Sequence, residues 1–248
     1  MNLRLSHGGA AVALCAAALL TLSACSDDSD GNAESSTSTA ESAAADATPA
    51  QLDVRVEDLM LSETDFPGTG EYVILDKAAI DADQSSDPEV TPANCAAIVE
   101  EEDGTDEYDR ARVEYEMEDG TSIETQVIMG ETSDLETVAS QVETCPAMTM
   151  RGPADDGTEL VAEMENSVQD VEGSTVPAKT IISTGTATVG EQNVPITIRS
   201  TGAYVDGTTV SVQITLTGEN AANWNNSDEA IMVELLNKQI ALVQDAAA

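Results

Sequence analysis

Two stretches in the middle of the chain alternate between apolar and polar residues, which is the pattern of half-buried β-strands. The turn signal Asp119-Gly120 separates them, so the pattern predicts a β-hairpin. A two-residue turn would set apolar residues opposite polar ones, whereas a three-residue loop over 119–121 pairs Met117 with Ile123 and Val113 with Val127. We therefore expect the longer loop. The positions that share a side are Ala111, Val113, Tyr115 and Met117 in the first stretch, and Ile123, Thr125, Val127 and Met129 in the second.

Three helices are predicted around the strands. Thr91-Pro92 is a helix start, with Thr as N-cap and Pro at the first helical position. The capping box Ser133-x-x-Glu136 opens a helix over 133–145, and Ser227 caps a last helix over 227–244. Their buried stripes are Leu135, Val138, Val142 and Cys145 in the former, and Met232, Leu235, Leu236, Ile240 and Val243 in the latter. Further strands are expected at 147–150, 159–168, 180–189, 194–205 and 209–216.

The hairpin sequence that begins at Asp119-Gly120-Thr121 has a counterpart at Asp206-Gly207-Thr208. An Arg stands seven positions before each Asp, at Arg112 and Arg199, and a capped helix follows each hairpin. A structural duplication would pair Tyr204 with Val210, place helix 133–145 on the first hairpin and helix 227–244 on the second, and leave a pocket between the halves. Chance is the alternative, because Asp-Gly-Thr between strands is common turn chemistry.

Together these elements predict an α+β domain over residues 51–248. We expect a two-layer sandwich in which the helices pack on one face of an antiparallel sheet. If the duplication is real, this domain consists of two related halves, each a hairpin followed by a helix.

The N-terminus has the three zones of an export signal over residues 1–24. Leu22-Ser23-Ala24-Cys25 then resembles the lipobox of bacterial lipoproteins, so Cys25 is the expected lipidation site. The alternatives are an ordinary secretory signal with a chance Cys, or a membrane span, for which the apolar run is short. Residues 25–50, rich in Ser, Thr, Ala and carboxylates, are expected to form a disordered tether. The predicted location is the extracytoplasmic face of a cell membrane, through the lipid anchor.

Composition excludes several function classes. The net charge of −38 repels nucleic acid and anionic headgroups, so neither is expected as a direct partner. Hydrophobic residues make up 41% but aromatic residues only 2%, so the core must be built from Val, Ile, Leu and Ala. The one His, His7, lies in the signal, which excludes His-based catalysis and His-based metal sites in the mature chain. We expect no cofactor and no metal.

Two cysteines remain after the signal and the lipidation site, Cys95 and Cys145. An even pair in an oxidising compartment indicates one disulfide. Two free thiols or a redox pair are the alternative, although the chain has no Cys-x-x-Cys motif.

The combination of lipobox, acidic tether, Cys-bearing helix after Thr91-Pro92, hairpin, second Cys-ended helix, three-strand meander and C-terminal helix resembles the actinobacterial envelope domains of the PknH-type extracellular sensor family. The likeness covers about residues 90–245. It implies an antiparallel sheet with helices packed on it and a cleft that takes a ligand. The kinase-borne domains have two disulfides, whereas one pair is available here, and this chain has no kinase segment.

Several polar residues are candidate sites. The carboxylates from Glu100 to Asp109 lack the spacing of a calcium loop, as do Asp81, Asp83 and Asp87, so solvated loops are expected. Arg112 and Arg199 face away from the apolar sides of their strands and could orient an anionic ligand, with surface ion pairing as the alternative. Trp224 is expected to pack as a lid on the core rather than as a stacking platform.

The leading functional hypothesis is a membrane-anchored, non-catalytic ligand-binding or sensor-type envelope lipoprotein. We expect a monomer with an unknown small-molecule or envelope-component ligand. The alternatives are an envelope hydrolase that uses a carboxylate pair, or a structural envelope protein.

Overall fold

The computed structural model describes residues 52–83, 88–98, 108–130, 135–153 and 158–248. Within these ranges the chain forms one open antiparallel sheet of nine strands with a few helices. The strands are β1 (Gly70–Asp76), β2 (Glu89–Thr91), β3 (Asp109–Met117), β4 (Ser122–Met129), β5 (Ala147–Pro153), β6 (Glu159–Asp170), β7 (Ala178–Val189), β8 (Gln192–Val205) and β9 (Thr208–Thr217). Their order across the sheet is β1-β3-β4-β9-β8-β7-β6-β5-β2.

The α-helices are α1 (Lys77–Asp83), α2 (Leu135–Thr144) and α3 (Asn226–Ala247). Short 3-10 helices lie at Val56–Leu59, Glu63–Asp65, Ala93–Ile98 and Asn220–Asn223. The sheet-dominated antiparallel α+β class and the strands from 147 to 216 are thus confirmed. The helix expected after Thr91-Pro92 is present, but as a 3-10 helix.

The helices α2 and α3 lie on opposite faces of the sheet. On β8, Ile196 and Ile198 belong to the cluster that includes α2, while Ala203 and Val205 belong to the cluster that includes α3. Residues an odd number of positions apart on a strand project to opposite sides, as Ile198 and Ala203 do. We call the α3 side the front face and the α2 side the back face. The expectation that the helices share one face is therefore wrong.

The front-face core joins α3, the strands β3, β4, β8 and β9, and the segment 52–66. The buried stripe predicted for the last helix is confirmed, with Met232, Leu235, Leu236, Ile240 and Val243 each 1% exposed or less. Its partners on β9 include Val210, Val212 and Ile214.

The back-face core lies under α2 and the 3-10 helix at 93–98. Cys95 and Cys145 lie at disulfide distance, with their Cα atoms 5.6 Å apart, and both are almost fully buried. The cross-link ties the two helices to each other over the sheet. Around it pack Val90, Val138, Val142, Met148, Met150, Ala162, Met164, Ile181, Ile196 and Ile198.

The first hairpin has a three-residue loop, as expected, but its register differs. Tyr115 pairs with Ile123, and Met117 exchanges backbone hydrogen bonds with Thr121 and Gly120, so the loop is Glu118-Asp119-Gly120. Gly120 has φ 82°, and the common three-residue loop needs such a residue at its third position. The predicted pairing of Met117 with Ile123 is wrong by two residues, although the apolar sides still coincide.

The second hairpin has a two-residue turn. Val205 pairs with Thr208, and Tyr204 pairs with Thr209 rather than with Val210. Asp206 and Gly207 both have positive φ, 49° and 79°, which is the backbone of a type I′ turn. The two hairpins are therefore not equivalent.

Among the described strands the seam between the two halves is closed, because β4 and β9 pair directly from Ser122↔Thr215 to Met129↔Thr208. The pocket expected at that seam is therefore not formed. Helix α2 packs against β6, β7 and β8, so it does not cover the first hairpin. The segment 52–66 covers it instead, through buried residues such as Val56, Leu59 and Phe66. Helix α3 does cover β8 and β9, as predicted.

The cap of α3 lies two residues earlier than expected. The side chain of Asn225 accepts a hydrogen bond from the backbone of Ser227 at 2.8 Å, and Asp228 accepts one from the backbone of Asn225 at 3.0 Å. Asp228 and Glu229 occupy the first turn, where negative charge is favourable.

Candidate functional site

The back face carries a strip of polar side chains on the strands β3, β4, β9 and β8. Helix α1 packs beside it on β1 and β3, and α2 packs beyond it on β6 to β8. The strand register arranges the residues in two rows. We call this set the polar strip: Arg112, Gln126 and Ser211 in one row, and Glu114, Glu124, Gln213 and Ser200 in the next.

Three residues of the polar strip are withdrawn from solvent, whereas Glu114, Glu124, Gln126 and Ser211 are partly exposed. Arg112 is 5% exposed, Gln213 is 6% and Ser200 is 7%. Transferring such groups out of water costs free energy unless they find partners. A buried polar surface on the middle strands of a sheet is therefore a candidate binding floor.

Two arginines of β3 anchor the edge of this region. Arg112 forms an ion pair with Glu114 at 2.8 Å, and Arg110, which is 1% exposed, pairs with Asp81 of α1. Hydrogen bonds from Arg110 and then from Lys77 lower the pKa of Asp81. Both arginines are thus held by carboxylates of the described chain, and the prediction that Arg112 faces away from the apolar side is confirmed.

Gln213 has a buried donor that nothing in the described ranges accepts. Its Nε2 atom and the hydroxyl of Thr209, also on the back face of β9, are shielded from solvent without a hydrogen-bond partner. Native proteins rarely leave such atoms unpaired, so each calls for an explanation. One explanation is a polar ligand bound at the polar strip, which would supply a hydrogen-bond partner for both atoms.

Glu114 and Glu124 lie directly opposite each other across β3 and β4. This opposed pair within the sheet is not among the acidic clusters that the sequence analysis considers. Opposed residues have Cβ atoms about 4.5–5.5 Å apart, and like charges there destabilise the sheet. Arg112 offsets part of that repulsion through its ion pair with Glu114.

Arg199 and Trp224 lie together, on the other face of the sheet. Arg199 pairs with Ile214 of β9, so it projects to the front face under α3. Its Cζ atom lies 4.2 Å from the centre of the Trp224 ring, and Nη1 lies 3.6 Å from Oε2 of Glu229. Burial lowers the pKa of Arg199, partly opposed by Glu229. The expectation that Arg199 faces away from the apolar side is wrong for the half of β8 that α3 covers.

Trp224 packs against the front-face core, which agrees with the expected lid. One face of its ring meets Arg199, so that face is not open for stacking. Arg112 and Arg199 lie on opposite faces, so they cannot serve one site. The sequence echo that suggested a shared role for them is not matched by the fold.

Several predicted residues lie outside the described ranges: Cys25 with the signal and tether, the carboxylates at 100–107, Ser133 and Asp87. Asp81 lies in α1 and pairs with Arg110 and Lys77.

Within the described residues, no group of three or more Cys, Asp, Glu or His side chains is arranged to hold a metal ion. An open groove on α3, with a volume of about 780 Å³, is lined by Ala230, Val233, Lys238 and neighbouring acidic residues.

No protein-family model and no curated protein matches this chain. None of the helices in the described ranges has the length and apolar character needed to cross a membrane.

Gln213, Ser200 and Glu124 were not among the residues predicted from the sequence. Their strands were predicted, but their neighbours across the sheet depend on the β4–β9 pairing. The alternation Val210, Val212, Ile214 against Ser211, Gln213, Thr215 shows that one side of β9 is polar. It carries no signal that this side is withdrawn from solvent.

Proposed function

We propose that this protein is an extracytoplasmic lipoprotein, anchored to a membrane through Cys25, that binds a small polar ligand without chemical turnover. The observation that carries the ligand-binding part is the polar strip, since Arg112, Gln213 and Ser200 are polar yet buried. The lipobox sequence supports the anchor. The sensor role rests on the resemblance to PknH-type domains alone.

The chemistry of the strip indicates the kind of ligand. Gln213 and Arg112 supply hydrogen-bond donors, while Glu124 and Gln126 supply acceptors on neighbouring strands. A ligand with both hydroxyl or amide donors and oxygen acceptors fits this mixture. A simple anion does not, because Glu114 and Glu124 lie in the same strip.

Mass spectrometry of small molecules that copurify with the native protein tests this proposal. We expect a polar compound with the wild type and with Gln169→Leu, a control at an exposed position of β6. Gln213→Leu removes the buried donor, so it should lose the compound while raising the free energy of unfolding by about 1 kcal/mol. Equal recovery from Gln213→Leu, or no compound from any form, would contradict the proposal.

The anchor has its own test. Cys25→Ala should move the protein from the membrane fraction to the medium, with Cys15→Ala as a matched control within the signal. A variant that stays bound to the membrane would show that the lipid on Cys25 is not the attachment.

A hydrolase remains the second candidate because Glu114 and Glu124 are opposed. Residues paired in this way have Cβ atoms about 4.5–5.5 Å apart, and in retaining glycosidases the two carboxyl groups are about 5–5.5 Å apart. The side chain of Glu114 is 40% exposed and ion-paired with Arg112, whereas a general acid of that class needs a dry setting. Turnover of glycosides that Glu124→Gln abolishes would favour the hydrolase.

A further inference from the structure

The strand β1 ends the sheet with an open edge. It pairs with β3 on one side and has no strand on the other, as the strand order of the described sheet shows. The opposite edge, β2, is only three residues long. Long edge strands offer unpaired backbone groups to other chains, and proteins usually blunt them with charged side chains, especially Lys, or with Pro or bulges. Gly70–Asp76 contains neither Lys nor Pro.

The centre of this edge is apolar and exposed. Val73 is 38% exposed and Ile74 is 45%, and with Val54 they are the exposed large hydrophobic residues of the described chain. Val73 and Ile74 project to opposite faces, so an added strand would bury side chains on both.

The ends of the edge are acidic. Glu71 lies opposite Glu116 across β1 and β3, and both are exposed. Like charges directly opposite each other destabilise a sheet. Asp76 lies at the other end of β1. A basic residue on an added strand would relieve the repulsion at Glu71.

A second copy of this chain fits poorly. Two copies paired about the point between Val73 and Ile74 would set Glu71 of each against Asp76 of the other. Each copy also carries a net charge of −38.

We propose that the free edge of β1 binds, by antiparallel strand addition, an extended segment of another protein whose apolar centre is flanked by basic residues. The apolar residues lie opposite Val73, Ile74 and Leu75, and the basic ones lie opposite Glu71 and Asp76. Main-chain hydrogen bonds supply affinity and the flanking charges supply selectivity. This partner is independent of the ligand on the polar strip.

Fluorescence anisotropy with two labelled peptides tests the proposal on the mature protein. One peptide has the order lysine, three valines, threonine, lysine, and the other has glutamate in place of both lysines. The first should bind saturably and at least tenfold more tightly than the second. Hydrogen exchange at the amides of β1 should slow when it binds.

Variants at the edge make the test specific. Ile74→Lys should weaken binding at least tenfold, while Val54→Lys, exposed but outside any strand, should leave it unchanged. Glu71→Lys should remove most of the preference for the lysine peptide, because only Asp76 then favours it. Equal binding of both peptides, or no effect of Ile74→Lys, would overturn the proposal. A concentration-dependent dimer that Ile74→Lys dissociates would instead make a second copy the occupant.

Discussion

The guanidinium carbon of Arg199 lies 4.2 Å from the centre of the Trp224 ring, which joins β8 to the turn that leads into α3. Trp224 is the chain's only tryptophan. Its ring also packs on the front-face core, so the pair closes one end of that core. The contact therefore has a structural role, and the fluorescence of the single Trp reports on it directly.

Replacement of Arg199 should loosen this end of α3. A partly buried cation over a Trp ring contributes about 0.5–2 kcal/mol, so Arg199→Ala should lower the free energy of unfolding by about 1 kcal/mol. Trp emission should shift to longer wavelength as water reaches the ring. Arg199→Lys keeps the positive charge and should have a smaller effect in urea unfolding. Unchanged emission and stability in Arg199→Ala would show that the contact contributes nothing.

Loss of the Cys95–Cys145 bond should destabilise the protein strongly. The two residues are 50 positions apart, and closing a loop of that length stabilises the folded state by about 4 kcal/mol on the chain-entropy model. The Cys95→Ala/Cys145→Ala double variant should therefore unfold at much lower denaturant concentration. Peptide mapping without reductant should recover the two cysteines linked; either thiol alkylated in the native protein would contradict the bond.

Asp81 should make part of the stability depend on pH. Hydrogen bonds from Arg110 and Lys77 lower the pKa of Asp81, so its contribution is present above the ordinary carboxylate pKa of about 4. The contribution is lost as the pH falls through the lowered pKa. Asp81→Asn should therefore be less stable than wild type at pH 6, and the difference should shrink below about pH 4.

Asp58→Asn is the matched control for that series. Asp58 pairs with Arg55 at 2.6 Å, but the two side chains are 55% and 75% exposed, so the pair should contribute little. A constant difference between Asp81→Asn and wild type from pH 6 to pH 2 would show that the Asp81 contacts are not electrostatic.

The turn at 206–207 should tolerate some substitutions and not others. Gly207 has φ 79°, where a Cβ atom is strained, so Gly207→Ala should lower the free energy of unfolding by about 1 kcal/mol or more. Asp206, at φ 49°, should be replaced by Asn without loss, because Asn tolerates this backbone. A thermal denaturation series compares the two. Equal melting temperatures for Gly207→Ala and Asp206→Asn would contradict the type I′ turn.

Local patterns predicted the elements well because each strand and helix has its own periodicity. The strand at 194–205 and the buried stripe of α3 were found in this way. The first hairpin register was wrong because both registers keep the apolar sides together. Gly120 could have decided between them, since the left-handed residue belongs at the third loop position.

Long-range pairing could not be predicted from the same patterns. The sequence gives no sign that β4 pairs with β9, and this pairing both closes the expected pocket and creates the polar strip. No elements were assigned to 51–90, although Val56, Leu59 and Phe66 cover the first hairpin. That segment has too few alternating positions to signal its packing. The face predicted for Arg199 was wrong because the buried apolar residues of β8 lie on one face of the sheet in its first half and on the other face in its second half.

That change of side on β8 has a consequence for how the protein opens. Ile196 and Ile198 support the back-face core, and Ala203 and Val205 support the front-face core, on one continuous strand. Because both cores pack on β8, unfolding of one core would also expose residues of the other. Partly unfolded states should therefore be scarce. Proteolysis of the folded domain is then expected to follow its global unfolding equilibrium rather than local fraying.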